Sequence, residues 1–223
     1  MRQRWHDLLF AHWPIPPENL RSLVPAALPI DTFDGKGWVG VVPFHMSGIR
    51  ARGLPPVPGL SAFPELNVRT YVTLDGQPGV YFFSLDADSA PAVWAARRFY
   101  HLPYFQAKMQ VDAGPNDIRY SSSRCEGPAV FRARFAPVRP VKLAESGSLE
   151  HWLTERYCLY ATVDGDIFRG DIHHAPWPLQ AAEAEIQENS MVVAAGMSLP
   201  AEPPILHFAK LLEVLIWPLV KAH

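Results

Sequence analysis

Twenty-three prolines and fourteen glycines are spread along the 223 residues, and they punctuate the chain into short segments. Proline removes a backbone donor and glycine tolerates the left-handed turn conformations, so such punctuation favours strands joined by tight turns over long helices. Three hairpins are predicted. Asp34-Gly-Lys-Gly37 turns between Ile30–Phe33 and Trp38–Phe44. Asp75-Gly-Gln-Pro-Gly79 turns between Leu66–Leu74 and Val80–Asp86, and Asp164-Gly-Asp166 between Cys158–Val163 and Ile167–His173. Trp5–Ile15, Tyr104–Val111, Ile118–Ser123 and Ala129–Phe135 read as further strands, and Ala181–Ile186 extends the sheet. Glu188–Val193 fits neither period.

Helices are few. Pro16–Val24 carries proline in its first turn. Ser89–Arg98 begins on an N-cap serine and is stopped by Pro103. Ser148–Tyr157 is capped by Ser148, and Ile205–Val220 reads as a closing amphipathic helix. That last run is shorter than the roughly 20 residues a span needs, and it holds His207, Lys210 and Glu213, so no membrane span is expected. Met46–Phe63, with Leu54-Pro-Pro-Val-Pro-Gly59, lacks any period and reads as a long loop of the kind that serves as a lid or a plain connector. No strand–helix–strand alternation and no glycine-rich phosphate loop appears, which argues against a nucleotide-binding doubly wound sheet. The expectation is a mainly β (α+β) fold: a closed antiparallel barrel with a few external helices, one domain over residues 1–223.

Composition bounds the function classes. A hydrophobic fraction of 48% supplies a sizeable core, and a net charge of −2 gives no footprint for nucleic acid. Cys125 and Cys158 lack the paired spacing of a zinc site. The amino terminus shows no signal-peptide pattern, so a cytoplasmic protein with reduced cysteines is expected.

The chemistry is concentrated in Pro64-Glu-Leu-Asn-Val-Arg-Thr-Tyr71. In a strand, Glu65, Asn67 and Arg69 share one face, and Leu66, Val68 and Thr70 share the other. A carboxylate, an amide and a guanidinium in a row within an apolar strand either face solvent or line a polar cavity.

These residues, together with His12-Trp-Pro14, Leu23-Val-Pro25, Trp38-Val-Gly-Val-Val-Pro-Phe44, Gly79-Val-Tyr-Phe-Phe-Ser-Leu-Asp86, Leu102-Pro-Tyr104, Leu206-His-Phe208 and Trp217-Pro218, resemble the YqjF-like uncharacterised bacterial family (domain of unknown function 2071) of the acetoacetate decarboxylase-like superfamily. The resemblance covers almost the whole chain. It implies a cone-like antiparallel barrel with a small interior pocket, and assembly into a homo-oligomer. Classical members of that superfamily decarboxylate β-keto acids through a Schiff-base lysine, in a segment with an arginine followed by an aromatic-Pro-Lys-Lys run. Here the segment is Arg97-Arg-Phe-Tyr-His-Leu-Pro-Tyr-Phe105, with Tyr104 and Phe105 where the lysine pair stands. Tyrosine forms no imine, so the classical reaction is not expected. The pocket glutamate of the superfamily has its match in Glu65.

The candidate catalytic residues are therefore Glu65, Tyr104 and Lys108, with Asn67, Arg69, Arg97 and Gln106 as ligand-binding candidates. Lys108 shares the Tyr104–Gln106 face and is either a relocated, desolvated Schiff-base amine or an ordinary lysine in water. Glu65 and Arg69 either hold a small carboxylate or keto acid or pair with each other inside the barrel. Arg97 either points at the pocket or meets the helix dipole. Adjacent strand residues His173 and His174 face opposite ways, so no metal site is expected, and no cofactor motif is seen. Ser121-Ser-Ser123 lacks a nucleophile elbow. A third class of function is an interaction protein docking through Leu54–Leu60 or the carboxy-terminal segment.

Overall fold

Two interleaved periods of two residues organise the molecule. Along the first strand, Leu8 and Phe10 enter one apolar cluster, while Leu9, Ala11 and Trp13 enter another. Such a strand is buried on both faces and reads as a continuous apolar run. The computed structural model describes residues 1–51, 53, 55–57 and 61–222. Its strands are Arg2–Ile15 (β1), Gly37–Arg50 (β2), Phe63–Leu74 (β3), Gln77–Ala87 (β4), Tyr104–Ala113 (β5), Ile118–Arg124 (β6), Val130–Pro137 (β7), Cys158–Val163 (β8), Asp166–His174 (β9), Gln180–Asn189 (β10), Ile205–Ile216 (β11) and Val220–Lys221 (β12). Four short helices, Pro17–Arg21 (α1), Ala90–Tyr100 (α2), Leu149–Thr154 (α3) and Met191–Ala194 (α4), lie between them.

The strands form one sheet that closes on itself twice. Its order is β12-β9-β8-β4-β3-β2-β1-β11-β10-β7-β6-β5, with further pairings of β9 to β11 and of β4 to β5. The first closure makes a ring of β1, β2, β3, β4, β8, β9 and β11. The second makes a ring of β1 to β7 with β10 and β11 and without β8 and β9. The shared wall, β4-β3-β2-β1-β11, is what has to be apolar on both sides. Closure also removes the open edges that invite aggregation. The fold is mainly β, as the turn pattern predicts, although the junctions β4–β5 and β4–β8 are parallel rather than antiparallel.

Parallel joining at β4–β8 requires a close approach. A Cβ on Gly79 would lie 2.7 Å from Cys158 Sγ and 2.8 Å from the Cys158 carbonyl oxygen. Gly79→Ala is therefore expected to destabilise the protein by about 1–3 kcal/mol, the usual cost of overpacking. Urea unfolding at neutral pH measures it, and an unchanged midpoint would refute the argument.

The structure corrects three expectations. Ile205–Val220 is not a helix: Ile205–Ile216 is β11, in antiparallel register with β1 from Arg2↔Leu215 to His12↔Ile205. Its Leu, Ala, Lys and Glu are good helix formers, but pairing with β1 along its length and the apolar clusters that take Phe208, Leu212, Val214 and Ile216 override weak intrinsic preference. The Asp34 turn closes a single bridge, Phe33↔Lys36, and does not pair Ile30–Phe33 with Trp38–Phe44, because β2 already has β1 and β3 on its two edges and Ile30 bridges Val72. The Met46–Phe63 loop is shorter at its start, since β2 runs to Arg50. Of the docking segment Leu54–Leu60, positions 54 and 58–60 lie outside the described residues. No helix among the described residues is long and apolar enough to cross a membrane.

Candidate functional site

The first ring encloses the site. Its side of β3 carries Glu65, Asn67, Arg69 and Tyr71, while Leu66 and Val68 pack into the second ring. The alternation read from sequence thus holds, and the polar row faces a cavity rather than solvent. That cavity is about 100 Å³. By the measure in which one water needs about 10–15 Å³, it admits several waters or one small organic molecule. Glu65, Asn67 and Arg69 are only 4%, 5% and 8% exposed.

At one end of the row, the Tyr104 hydroxyl donates a 2.6 Å hydrogen bond to Glu65 Oε2. Tyr104 opens β5 where that strand joins β4, at Leu85↔Tyr104. The Tyr120 hydroxyl donates to the Glu65 backbone oxygen at 2.7 Å and so fixes the strand behind the carboxyl. Burial pushes the Glu65 carboxyl up to about 8, the Tyr104 hydrogen bond opposes that rise, and the charge of Asp86 adds to it. Glu65 is therefore a neutral acid at pH 7. Asp86 is itself held by Arg124, through Nη2 at 2.7 Å and Nε at 3.1 Å, and the guanidinium lies 3.7 Å over the Phe105 ring.

At the other end lies an unpaired cation. Arg69 forms no ion pair with Glu65 and no side-chain hydrogen bond among the described residues, and its Nε is buried without a partner. Its guanidinium carbon sits 5.3 Å from the Phe10 ring centre and 5.8 Å from that of Tyr71. Gly40 leaves room for this packing: a Cβ there would meet the His12 ring at 3.0 Å. His12 Nε2 and the Tyr71 hydroxyl are 2.6 Å apart. Burial, with the neighbouring Arg69 charge, holds the His12 imidazole well below its usual range, so it is neutral. Asn67 Oδ1, midway along the row, is also buried and unpartnered.

Sequence reasoning missed Arg156, which follows α3 and also lines the cavity. Its Nη1 donates to Asp31 Oδ2 at 2.6 Å and its Nε to the Trp152 carbonyl at 2.7 Å, and the guanidinium carbon lies 5.0 Å from the Tyr71 ring centre. Trp177, read as a loop anchor, lines the cavity with an unpartnered indole Nε1. Neither residue has a local signal; both come from loops far from β3 in sequence. With Glu65 neutral and Arg156 balanced by Asp31, Arg69 leaves one uncompensated positive charge inside the ring. A lone buried cation is costly, and what it can do chemically is hold an anion.

The remaining candidates lie elsewhere. Lys108 is exposed, on the outer surface of β5. It does share the Tyr104 face, but β5 pairs with β4 only over Tyr104–Gln106 and then leaves the first ring with β6. Beyond that point the same face meets water, so the desolvated-amine environment that a relocated Schiff base needs is missing. Gln106 is half-buried and outside the cavity lining. Arg97 is exposed and braces the start of β5, its Nε donating to the Tyr104 carbonyl at 2.6 Å. Lys36, Lys142, Lys210 and Lys221 are exposed as well.

Comparison with known proteins bears out the family resemblance. The profile of DUF2071, described as "Uncharacterized conserved protein", matches residues 2–213. The uncharacterised protein YqjF of Bacillus subtilis (strain 168) is 51% identical over 222 residues, which are 99% of this chain and 92% of the relative. Among solved structures, the enduracididine biosynthesis enzyme MppR complexed with pyruvate superposes with a TM-score of 0.70 at 9% identity, over 99% of this chain and 89% of that one. An acetoacetate decarboxylase-like enzyme from Sphingomonas wittichii RW1 gives 0.68 at 13% identity, over 100% and 92%. Acetoacetate decarboxylase from Legionella pneumophila gives 0.67 at 13%, over 99% and 87%. At such identities these structures establish the shared fold.

Proposed function

The chain belongs to the DUF2071 family of uncharacterised conserved proteins, and we propose that the first ring of its barrel is a binding site for a small carboxylate carrying a carbonyl or hydroxyl oxygen, served by acid–base rather than imine chemistry. The observation that carries this reading is Arg69, a buried guanidinium without a hydrogen-bonding partner at the wall of the cavity. A ligand carboxylate supplies the missing charge and accepts from the guanidinium. Glu65, kept protonated by burial, donates through its carboxyl proton to a ligand carbonyl and stabilises negative charge as it develops there, while Tyr104 holds the carboxyl in place. That combination suits binding of the carboxylate and polarisation of the ligand carbonyl, with the Glu65 proton moving toward the carbonyl oxygen as negative charge develops on it. The fold relative solved with pyruvate supports the ligand class. The exposure of Lys108, and of the other lysines, supports a reaction without an imine.

The test is a thermal-shift screen of millimolar short oxo and hydroxy acids, followed by borohydride and intact-mass spectrometry. Stabilisation by oxo acids with the mass unchanged is the expected result. A borohydride-trapped adduct would overturn the acid–base reading, and the absence of stabilisation by any acid would overturn the binding site.

A further inference from the structure

The strand wall of the first ring is interrupted at β4. That strand pairs with β8 at Val80↔Leu159 and Tyr81↔Tyr160, and with β5 from Leu85↔Tyr104 to Ala87↔Gln106. Between these two short parallel ladders, Phe82, Phe83 and Ser84 have no strand on that edge among the described residues. β8 continues into the first ring and β5 into the second, so the gap is the fork at which the rings part. The register with β3 jumps there from Val68↔Ser84 to Arg69↔Phe82, which leaves Phe83 as the extra residue of a bulge. A bulge bends its strand and interrupts the ladder.

The turn His101-Leu102-Pro103, between α2 and β5, closes the fork. The Leu85 backbone N–H donates to the Pro103 carbonyl at 3.0 Å, and Leu102 belongs to the apolar cluster of the first ring. Outside the turn lies a groove of about 530 Å³ that includes Tyr81, Arg97, His101, Thr162 and Asp164 in its lining. Phe82, Leu102 and Tyr104 line both this groove and the cavity, so a partition one side chain thick separates the cavity from the groove. Two of its three members are fixed. Phe82 is held in β4 opposite Arg69, and Tyr104 is tied to Glu65 through its hydroxyl and to Arg97 through its carbonyl. Leu102 lies in neither helix nor strand and is held by apolar packing. Next to it, His101 adopts φ 50° and ψ 31°, the left-handed region that disfavours any residue with a Cβ. Strain at a turn lowers the cost of leaving its closed conformation.

We infer that this turn is the gate of the cavity: a small carboxylate passes from the outer groove through the fork between β8 and β5 when Leu102 swings out of the partition. This rests on the carboxylate site proposed above and adds its route of entry. Arg97 and Asp164 both line the groove and offset each other, so passage depends on opening of the turn rather than on attraction.

Two measurements test the gate. The first is stopped-flow fluorescence of the full chain mixed with pyruvate or acetoacetate, with Trp177 on the cavity lining as a reporter. His101→Gly, outside that lining, removes the constraint on the turn, and Leu102→Ala removes the side chain from the partition. A gate sets the barrier and not the affinity, so His101→Gly should raise association and dissociation rates together by at least about fivefold, with Kd within about twofold of wild type. Leu102→Ala should speed association by a similar factor. Unchanged rates in both variants overturn the gate. A weaker Kd through faster dissociation alone also overturns it, because that pattern belongs to a residue of the binding site. The second measurement needs no carboxylate. Leu85 lines the cavity and Cys125 is exposed, so Leu85→Cys in a Cys125→Ser protein places a thiol behind the partition, with the Leu85 parent reporting the buried Cys158. Labelling by methyl methanethiosulfonate, followed by intact mass, should be at least about fivefold faster in His101→Gly and in Leu102→Ala. Equal labelling rates overturn the gate. Faster labelling in a protein that binds neither oxo acid supports the gate and overturns the carboxylate site.

Discussion

Arg69→Met is expected to weaken binding of the ligand carboxylate at least about 100-fold and, at the same time, to raise the stability of the ligand-free protein. The two effects have one cause. Truncating one member of a buried charge pair costs on the order of 2–5 kcal/mol of binding, and 100-fold corresponds to about 2.7 kcal/mol. In the free protein that partner is missing. The residue is then 8% exposed with no ion pair, and replacing a buried charged group by an apolar side chain of similar length is often stabilising by about 1–4 kcal/mol. Against this, the cation loses its contacts with the Phe10 and Tyr71 rings, worth roughly 0.5–2 kcal/mol. The balance favours the methionine, and melting should shift upward by a few degrees. Calorimetric titration with an oxo acid and thermal unfolding without it are the two measurements. A variant that binds as well as wild type removes Arg69 from the site. A variant that binds poorly and is also less stable makes Arg69 a structural residue.

How much of this was legible beforehand depends on the range of the interaction. The polar row of β3 was readable because its alternation is a local property of eight residues, and burial on both faces does not change which side chains point together. Lys108 shows the limit of the same rule. Its place on the Tyr104 face follows from strand alternation, but where the ring ends is decided by the pairing of β5 with β4 and β6, which no local pattern encodes. Arg156 shows a second limit. It reaches the cavity from a loop and is placed by Asp31 and Trp152, so only tertiary structure brings it to Tyr71. The closing strand β11 shows a third. Its composition suits a helix, and only its pairing with β1 and the apolar clusters it enters select the extended form. The double closure of the sheet follows from parallel junctions at β4, for which hairpin signals give no warning.

Glu65 makes a pH-dependent contribution with a sign opposite to that of an ion-paired carboxylate. Its carboxyl ionises near 4.5 in the unfolded chain and at about 8 in the folded one. Between those values the folded state holds a proton that the unfolded state has released, so stability falls as pH rises, by about 1.4 kcal/mol per unit from this group. Below 4.5 the contribution is constant, and above 8 the loss is complete. The buried histidines act in the other direction. His12, His174 and His207 are all held below the usual imidazole range by burial, so they cost stability as pH falls below 6.5. Their opposing slopes make the wild-type profile a dome, and the Glu65 share is isolated by difference. Glu65→Gln keeps an oxygen to accept from Tyr104 but cannot ionise. The difference in unfolding free energy between variant and wild type should therefore grow steadily in favour of the variant from pH 5 to pH 8 and then level off. Urea midpoints every half unit of pH measure it. A difference that stays flat across this range would show that Glu65 ionises normally in the folded protein, and the neutral acid on which the proposed chemistry depends would be lost with it.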